Sequence, residues 1–248
     1  MPHKLTAFFA QIYGYDDSMQ NLLIDDHHLL QGGRPSMLKP VLCRQVLLCW
    51  AVCGIATAHA EAPTSYTLVI NLTPAVCATN PELRRLRQCQ EGFSLTVSQL
   101  QPEPPSQRDC AQEAARLSPL QARVVERIMP DEQLRNDAWR TSGSCTGMSV
   151  NAYFRTITNY AGRLKVPPEF NADQAVLMQK EQLVQQLVDL NAGLKINGLQ
   201  LNCAKNPKFR QPMLTEIRVC YSPNGSYIDC PATVQSNCPD RFVVHGAP

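Results

Sequence analysis

Two short stretches decide the fold of this chain: residues 93–102, FSLTVSQLQP, and residues 138–145, AWRTSGSC. The first opens with β-forming residues of alternating polarity, which predicts a strand over residues 93–97. Pro102 is expected to end this extended segment. The second stretch contains Gly143 between two serines, which predicts a turn between Trp139 and Cys145.

Strands and helices come in blocks around these two stretches. Further strands are predicted over residues 66–72, 196–203, 213–221 and 241–245. Helices are predicted over residues 111–129, with Pro119 marking a break or a second start, from Asn151 to Pro167, and from Asp173 to about Gly193. Strands on either side of a helical middle, without regular βαβ alternation, favour a single α+β domain over residues 61–248.

Composition excludes few functions. The 248 residues are 44% hydrophobic and 18% charged, which is ordinary for a globular protein. The formal net charge of +2 is far from the strongly basic balance of a dedicated nucleic-acid binder. A local cleft for RNA stays compatible with this charge.

The sequence before residue 61 has the order of a secretory signal. Residues 37–44 carry positive charge, residues 46–55 are apolar, and Ala58 and Ala60 have the spacing that signal peptidase accepts. The apolar run is short for a membrane span. We therefore assign residues 37–60 to a signal peptide and residues 1–36 to an upstream start-site artefact or disordered extension; the alternative is an unusually extended signal.

The cysteines support export. Three of the 11 lie in the predicted signal, and the other eight are Cys77, Cys89, Cys110, Cys145, Cys203, Cys220, Cys230 and Cys238. An even number after a signal peptide predicts four disulfides, formed in an oxidising compartment. Zinc binding is the competing interpretation, but no pair has the Cys-x-x-Cys spacing of structural zinc sites.

The two opening stretches together resemble the active-site motifs of the ribonuclease T2 family. In that family an apolar strand runs into His-Gly-Leu-Trp-Pro, and the second motif is Glu-Trp-x-Lys-His-Gly-x-Cys. Residues 201–203, 206–207 and 214–217 resemble the core strand pair of the same family. The resemblance covers most of residues 63–245 and implies an α+β fold, with a ribonuclease T2-like antiparallel sheet, flanking helices and four disulfides.

The resemblance implies a metal-free cleavage chemistry whose main groups are replaced here. In the family one histidine takes the proton of the ribose 2′-hydroxyl and another protonates the leaving 5′-oxygen, giving a 2′,3′-cyclic phosphate; imidazole suits both steps because its pKa lies near working pH. The two histidine positions fall on Ser98 and Ser142. The glutamate position falls on Ala138, the lysine position on Thr141 and a tryptophan position on Gln101, whereas Leu100, Pro102, Trp139, Gly143 and Cys145 are as the family has them.

A count of histidines leads to the same expectation without any alignment. The chain has five, at positions 3, 27, 28, 59 and 245, and only His245 follows the predicted signal. A mechanism that needs two imidazoles cannot be built from one. We expect no catalytic residues of the inherited kind.

The resemblance also guides the predicted disulfide pairing. Cys203 and Cys238 stand where the family closes its C-terminal disulfide, and we predict Cys77–Cys89, Cys110–Cys145 and Cys220–Cys230 for the remaining pairs. The last pair would enclose Asn224-Gly225, a favourable hairpin turn.

Two sets of charged residues leave alternatives open. Asp131, Glu132, Asp137 and Arg140 near the second motif are either a replacement acid–base set or a solvated loop. The clusters Arg84, Arg85, Arg87 and Lys205, Lys208, Arg210 either meet phosphates or are simply solvated.

The expected function is that of an exported pseudoenzyme, periplasmic or secreted, that binds a protein or single-stranded RNA. No cofactor, metal, DNA or membrane contact is expected after signal cleavage, and we expect a monomer. The alternatives are an RNA-binding endoribonuclease of the T2 type with altered residues, and an exported inhibitor or immunity-like protein.

Overall fold

The computed structural model describes residues 62–106, 109–172, 174–206 and 210–246. Within these residues the helices are α1 Thr73–Thr79, α2 Arg87–Gln90, α3 Pro119–Glu126, α4 Glu132–Thr141, α5 Val150–Arg163 and α6 Lys180–Leu190. The strands are β1 Ser65–Leu72, β2 Leu95–Glu103, β3 Val176–Gln179, β4 Leu199–Ala204, β5 Met213–Tyr221 and β6 Arg241–Val244. The predictions for residues 1–36 and 37–60 lie outside the described residues. None of the helices just given is long and apolar enough to cross a bilayer.

One sheet organises the described residues. Its order is β2-β1-β5-β6-β3, and β4 pairs with β5 outside this path. The pairs β1–β2, β1–β5, β4–β5 and β3–β6 are antiparallel. The β5–β6 contact, which joins Met213 and Val243, is parallel. The predicted α+β class is confirmed, with this one parallel contact in an otherwise antiparallel sheet.

Helix α5 supplies much of the core beneath the sheet. Tyr153, Phe154 and Ile157 are fully buried and lie on one side of the helix, as their spacing requires. The helix packs against β1 and β2, and α4 also packs against β2. Residues 93–102 and residues 138–145 therefore both border α5.

Three helices differ from the sequence prediction in their first residue or in their cap. In each case a capping hydrogen bond or a preceding strand determines where the helix begins. Helix α3 begins at Pro119, the predicted second start, because Ser118 Oγ accepts a hydrogen bond from Gln121 N (3.3 Å); residues 111–118 form neither helix nor strand. Helix α5 is capped by Ser149, whose Oγ accepts from Ala152 N (3.2 Å), and not by Asn151. Helix α6 begins at Lys180 because the preceding residues pair with β6. The predicted cap of α6, Asp173, lies outside the described residues.

Three segment boundaries also differ from the sequence prediction. β2 continues through Pro102, which pairs with Tyr66; a proline is tolerated there because β2 ends the strand order. β4 begins at Leu199, after a 3₁₀ turn over Ile196–Gly198. Trp139 lies inside helix α4, and the predicted turn is a 3₁₀ segment over Gly143–Thr146.

The disulfide prediction is confirmed for all four pairs. The bridges are Cys77–Cys89, Cys110–Cys145, Cys203–Cys238 and Cys220–Cys230. The hairpin turn inside the last bridge is also present: Gly225 has a φ of +84°, and Ser222 N donates to Ser226 O (2.9 Å). A positive φ favours glycine because it has no Cβ.

Candidate functional site

The first motif lies on an irregular part of β2. Ile70 of β1 is opposite Val97 and Val69 is opposite Gln99, so Ser98 is an extra residue in β2 without a partner on β1. Val97 N donates instead to Ile128 O (2.8 Å), which follows helix α3. Such a β-bulge bends the strand and redirects its side chains, and bulges are frequent beside active sites.

The second motif needs its glycine for packing. A Cβ at Gly143 would lie 2.5 Å from a ring carbon of Trp139 and 2.8 Å from a ring carbon of Tyr153. Neither buried ring can move aside easily, so any larger residue would displace the segment. The Cys110–Cys145 bridge holds the other side of the same turn.

Tyr153 of helix α5 connects the two motifs. Its hydroxyl accepts a hydrogen bond from Leu100 N (3.0 Å) and donates to Ala138 O (3.4 Å), so one side chain contacts β2 and α4 together. Complete burial raises the pKa of Tyr153 well above the usual tyrosine value, which keeps the phenol neutral. The relative position of the two motifs therefore depends on a buried hydroxyl.

Across the resulting cleft, Ser142 Oγ donates a hydrogen bond to Gln99 Oε1 (2.7 Å). Ser142 is only 3% exposed, and its amide donates to Ala138 O (3.1 Å). The amide side chain of Gln99 neither gains nor loses a proton between pH 4 and pH 8. This contact joins the two motifs, but it contains no group that titrates in the range of RNA cleavage.

Comparisons with known proteins bear on the fold. No family model matches the sequence, and neither does any curated protein. Among solved structures, ribonuclease MC1 from bitter gourd seeds aligns with 72% of this chain and 98% of its own, at 18% identity and a TM-score of 0.53. The SF11-RNase of Nicotiana alata, associated with gametophytic self-incompatibility, aligns with 73% and 99% at 15% identity and 0.53. An RNase-related protein from Calystegia sepium aligns with 74% and 99% at 12% identity and 0.54.

The chain has the ribonuclease T2 fold. At identities this low, the structural similarity establishes the fold of the described domain and nothing about its activity. The activity has to be argued from the residues of the cleft.

Besides Ser98 and Ser142, the degenerate cleft comprises the motif positions Ala138, Trp139, Thr141 and Gln101. These four side chains range from buried to exposed. Ala138 is buried, and Trp139 is 9% exposed and lies edge-on to Tyr153 with ring centroids 5.9 Å apart. Thr141 is exposed, and its Oγ1 donates to Asp137 O (2.8 Å). Gln101, opposite Thr67 in the β1–β2 pair, is half-buried. Trp139 is thus a core residue.

The charged residues near the second motif have structural partners or face solvent. Asp131 is buried, and its carboxylate accepts hydrogen bonds from Arg87 N (2.8 Å) and Gln88 N (3.1 Å) at the start of α2. Asp137 and Arg140 pair with each other one turn apart on α4. Glu132 is exposed in the first turn of α4. Asp131, Asp137 and Arg140 thus have partners other than Ser142, which favours the structural interpretation of this set.

His245 is the only histidine among the described residues, and it lies far from the cleft. It follows β6, which is three strands away from β2 in the sheet order, or about 14 Å at the usual strand spacing. Its Nδ1 lies 2.7 Å from Gly246 O. An imidazole at this position does not reach Ser98 or Ser142.

Gln99 is the cleft residue that the sequence analysis did not single out. It stands where the first family motif has glycine, so the replacement was visible in the sequence. Its significance was not, because only the folded chain brings residue 99 next to residue 142.

Proposed function

We propose that this chain is an exported ribonuclease T2-like protein that does not cleave RNA and acts as a binding module. The Ser142–Gln99 hydrogen bond carries the proposal. At the two positions where the family chemistry needs imidazoles the chain has Ser98 and Ser142, and the buried Ser142 hydroxyl is hydrogen-bonded to the neutral amide of Gln99. Each lost acid or base costs about 10²–10⁴ in rate, although such losses do not simply multiply.

The disulfides support export. All eight cysteines of the described domain are paired, and they form four bridges. Bridges of this number persist in oxidising compartments and are rare in a reducing cytosol. The bridges support the proposal that the protein acts in the periplasm or outside the cell.

RNA is favoured over protein as the partner by basic side chains at the end of α1. Arg84 Nε donates to Cys77 O (3.5 Å), and Asn206 Nδ2 donates to Ala78 O (3.4 Å). These two carbonyls belong to consecutive residues, so Arg84 and the neighbour of Asn206, Lys205, lie at the same end of the helix. Arg84 and Lys205, which are far apart in the sequence, are thereby brought to the same end of α1.

The charges of this surface are available to phosphates. Arg84, Arg85, Lys205 and Arg210 are exposed, and none of the four forms an ion pair within the described residues. Arg87 differs, because it pairs with Glu91 and so lowers the pKa of that carboxyl. Lys208 lies outside the described residues. Exposed unpaired cations bind a nucleic-acid backbone by releasing its counterions.

Absence of cleavage is tested on protein expressed as the full chain and purified after processing. Incubation with single-stranded RNA from about pH 4 to about pH 8 should give no cyclic phosphate beyond a buffer control, because no side chain in the cleft shuttles protons there. Ribonuclease MC1 serves as the active control. Turnover that persists through further purification would instead identify a T2-type endoribonuclease with altered residues.

RNA binding is tested by fluorescence anisotropy of a labelled single strand at several salt concentrations. Arg84→Gln combined with Arg85→Gln should weaken binding and reduce the salt slope by up to about 1.4, the value for two phosphate contacts. The matched control is Arg116→Gln with Arg123→Gln, two exposed arginines elsewhere. If the parent protein binds no RNA, a pull-down from the secreted fraction tests the protein-partner alternative, including an inhibitor or immunity-like role.

A further inference from the structure

A second concave site lies at the other end of α5. Arg163, the last residue of this helix, is ten positions beyond Tyr153, or about 15 Å along the helix axis. There the ends of α5 and α6 and the hairpin after β5 line a pocket of about 480 Å³ that is open to solvent. This volume lies in the range of small-molecule sites. Its wall includes Arg163, Lys165, Leu190, Asn191, Gly225 and Tyr227.

The charge of the wall is of one sign. Arg163 and Lys165 are exposed cations, no aspartate or glutamate lines the cavity, and neither cation forms an ion pair within the described residues. Asp189, on the last turn of α6, accepts instead from Gln185 Nε2 (2.7 Å). A concave wall with two cations and no acid attracts an anion.

Among the described residues, neither cation donates a hydrogen bond to the last carbonyls of α5 or α6. Basic side chains at a helix C-terminus often bind its last carbonyls. At the end of α6 Asn191 fills that role, because its Nδ2 donates to Leu187 O (2.8 Å); the same Nδ2 also donates to Lys165 O (2.8 Å), which follows α5. Arg163 is directed to the hairpin, where it donates to Gly225 O (3.2 Å) and lies 5.1 Å from the centre of the Tyr160 ring. The Arg163 guanidinium is held in place by these two contacts, and only one of its five N–H groups is used in the hydrogen bond to Gly225 O.

The rest of the wall suits a flat, apolar group. Tyr227 lies against Tyr221 with ring centroids 5.1 Å apart, and Tyr221 stacks on Tyr160 at 4.1 Å. Leu190 adds an aliphatic side chain that is 36% exposed. A ring placed here would contact a rigid aromatic stack at little entropic cost.

We propose that this cavity binds a small organic anion that joins a phosphate or carboxylate to a planar ring. Arg163 and Lys165 bind the anionic head by charge-assisted hydrogen bonds, and Tyr227 and Leu190 contact the ring. The site is separate from the degenerate cleft and independent of the proposed RNA partner.

The experiment is an NMR and calorimetric titration of the processed full chain with phenyl phosphate, benzoate and inorganic phosphate. Phenyl phosphate or benzoate should bind at least about tenfold more tightly than inorganic phosphate, because only they contact the aromatic wall. Arg163→Gln and Lys165→Gln should each weaken that binding about tenfold. Both residues are exposed, so these variants are expected to fold. Arg155→Gln, an exposed arginine of the same helix outside the cavity, should bind like the parent.

The outcomes separate the parts of the proposal. Binding of phenyl phosphate alone identifies a phosphate head, and binding of benzoate alone identifies a carboxylate head. Equal affinity for inorganic phosphate and both ring compounds would overturn the ring contact. Failure of all three probes to bind, or an equal loss in Arg155→Gln, would overturn the site. None of these results changes the expected result of the RNA cleavage assay.

Discussion

At the scale of single residues, Gln99 and Ser142 decide what the cleft can do. Their hydrogen bond takes up the serine hydroxyl and places an amide beside it. Replacing the serines by histidine alone would set a new imidazole against this amide in a nearly closed position. We therefore expect that restoring cleavage would require a change at position 99 as well as at positions 98 and 142.

A reconstruction experiment follows from this contact. Ser98→His with Ser142→His should stay at the buffer level, whereas the triple variant that adds Gln99→Gly should cleave RNA at least about tenfold faster, because it has both acid–base groups and the space between them. Cyclic-phosphate formation is the measurement. Equal rates for the double and triple variants would show that Gln99 does not obstruct the cleft.

The hydroxyl of Tyr153 makes a residue-scale prediction about stability. Tyr153→Phe leaves Leu100 N buried without a partner, so the free energy of unfolding should fall by about 1–3 kcal/mol. Urea denaturation measures the change. Tyr66→Phe is the matched control, because Tyr66 is also buried but its hydroxyl makes no hydrogen bond within the described residues. Equal effects in both variants would contradict the bridging role.

At the scale of elements, caps and strand pairing set the boundaries that hydrophobic periodicity left open. The apolar spacing of residues 111–129 continues through a segment that is not helical, and α3 begins only where Ser118 supplies a hydrogen bond. Val176 and Leu177 fit a helical stripe, yet they pair with β6. Both cases show a tertiary or capping contact overriding a local pattern.

The N-terminal cap of α5 gives a prediction that distinguishes Ser149, the cap in the structure, from Asn151, the cap predicted from the sequence. Ser149→Ala should destabilise the protein by about 1 kcal/mol, because Ala152 N loses its side-chain acceptor. Asn151→Ala should cost much less, because Asn151 lies inside the helix and is exposed. Thermal or urea unfolding of the two variants measures the difference. A larger effect for Asn151 would restore the sequence-based assignment.

At the scale of the whole molecule, five tyrosines share a common response to pH. Burial raises the pKa values of Tyr66, Tyr153, Tyr160, Tyr221 and Tyr227. The unfolded chain ionises its tyrosines at about pH 10, whereas the folded chain keeps these phenols neutral to higher pH. Their contribution to stability is therefore complete below pH 10 and is lost as the pH rises above it.

Urea denaturation from about pH 8 to about pH 11 tests this response. The free energy of unfolding should be steady up to about pH 10 and then fall, together with the appearance of tyrosinate absorbance. The loss should be smaller in Tyr153→Phe, which lacks one of the buried phenols. A fall that begins well below pH 10 would show that other groups control alkaline unfolding.

The sequence by itself determined the class of this protein. Strands β1 and β5 and the absence of a second histidine after the predicted signal were readable from residue types and spacing, and the resemblance to the ribonuclease T2 family guided the four disulfide pairs. Local propensity and cysteine position carry such information because each acts over a short range or through covalent bonding.

Only the tertiary structure decided what occupies the cleft. Gln99 and Ser142 are 43 positions apart, and Tyr153 is 53 positions from Leu100; no local pattern records either hydrogen bond. The cavity at Arg163 and Lys165 likewise needs three distant segments. Such contacts depend on how the packed helices and strands orient their side chains. Here the bulge in β2 and the burial of α5 together determine these orientations.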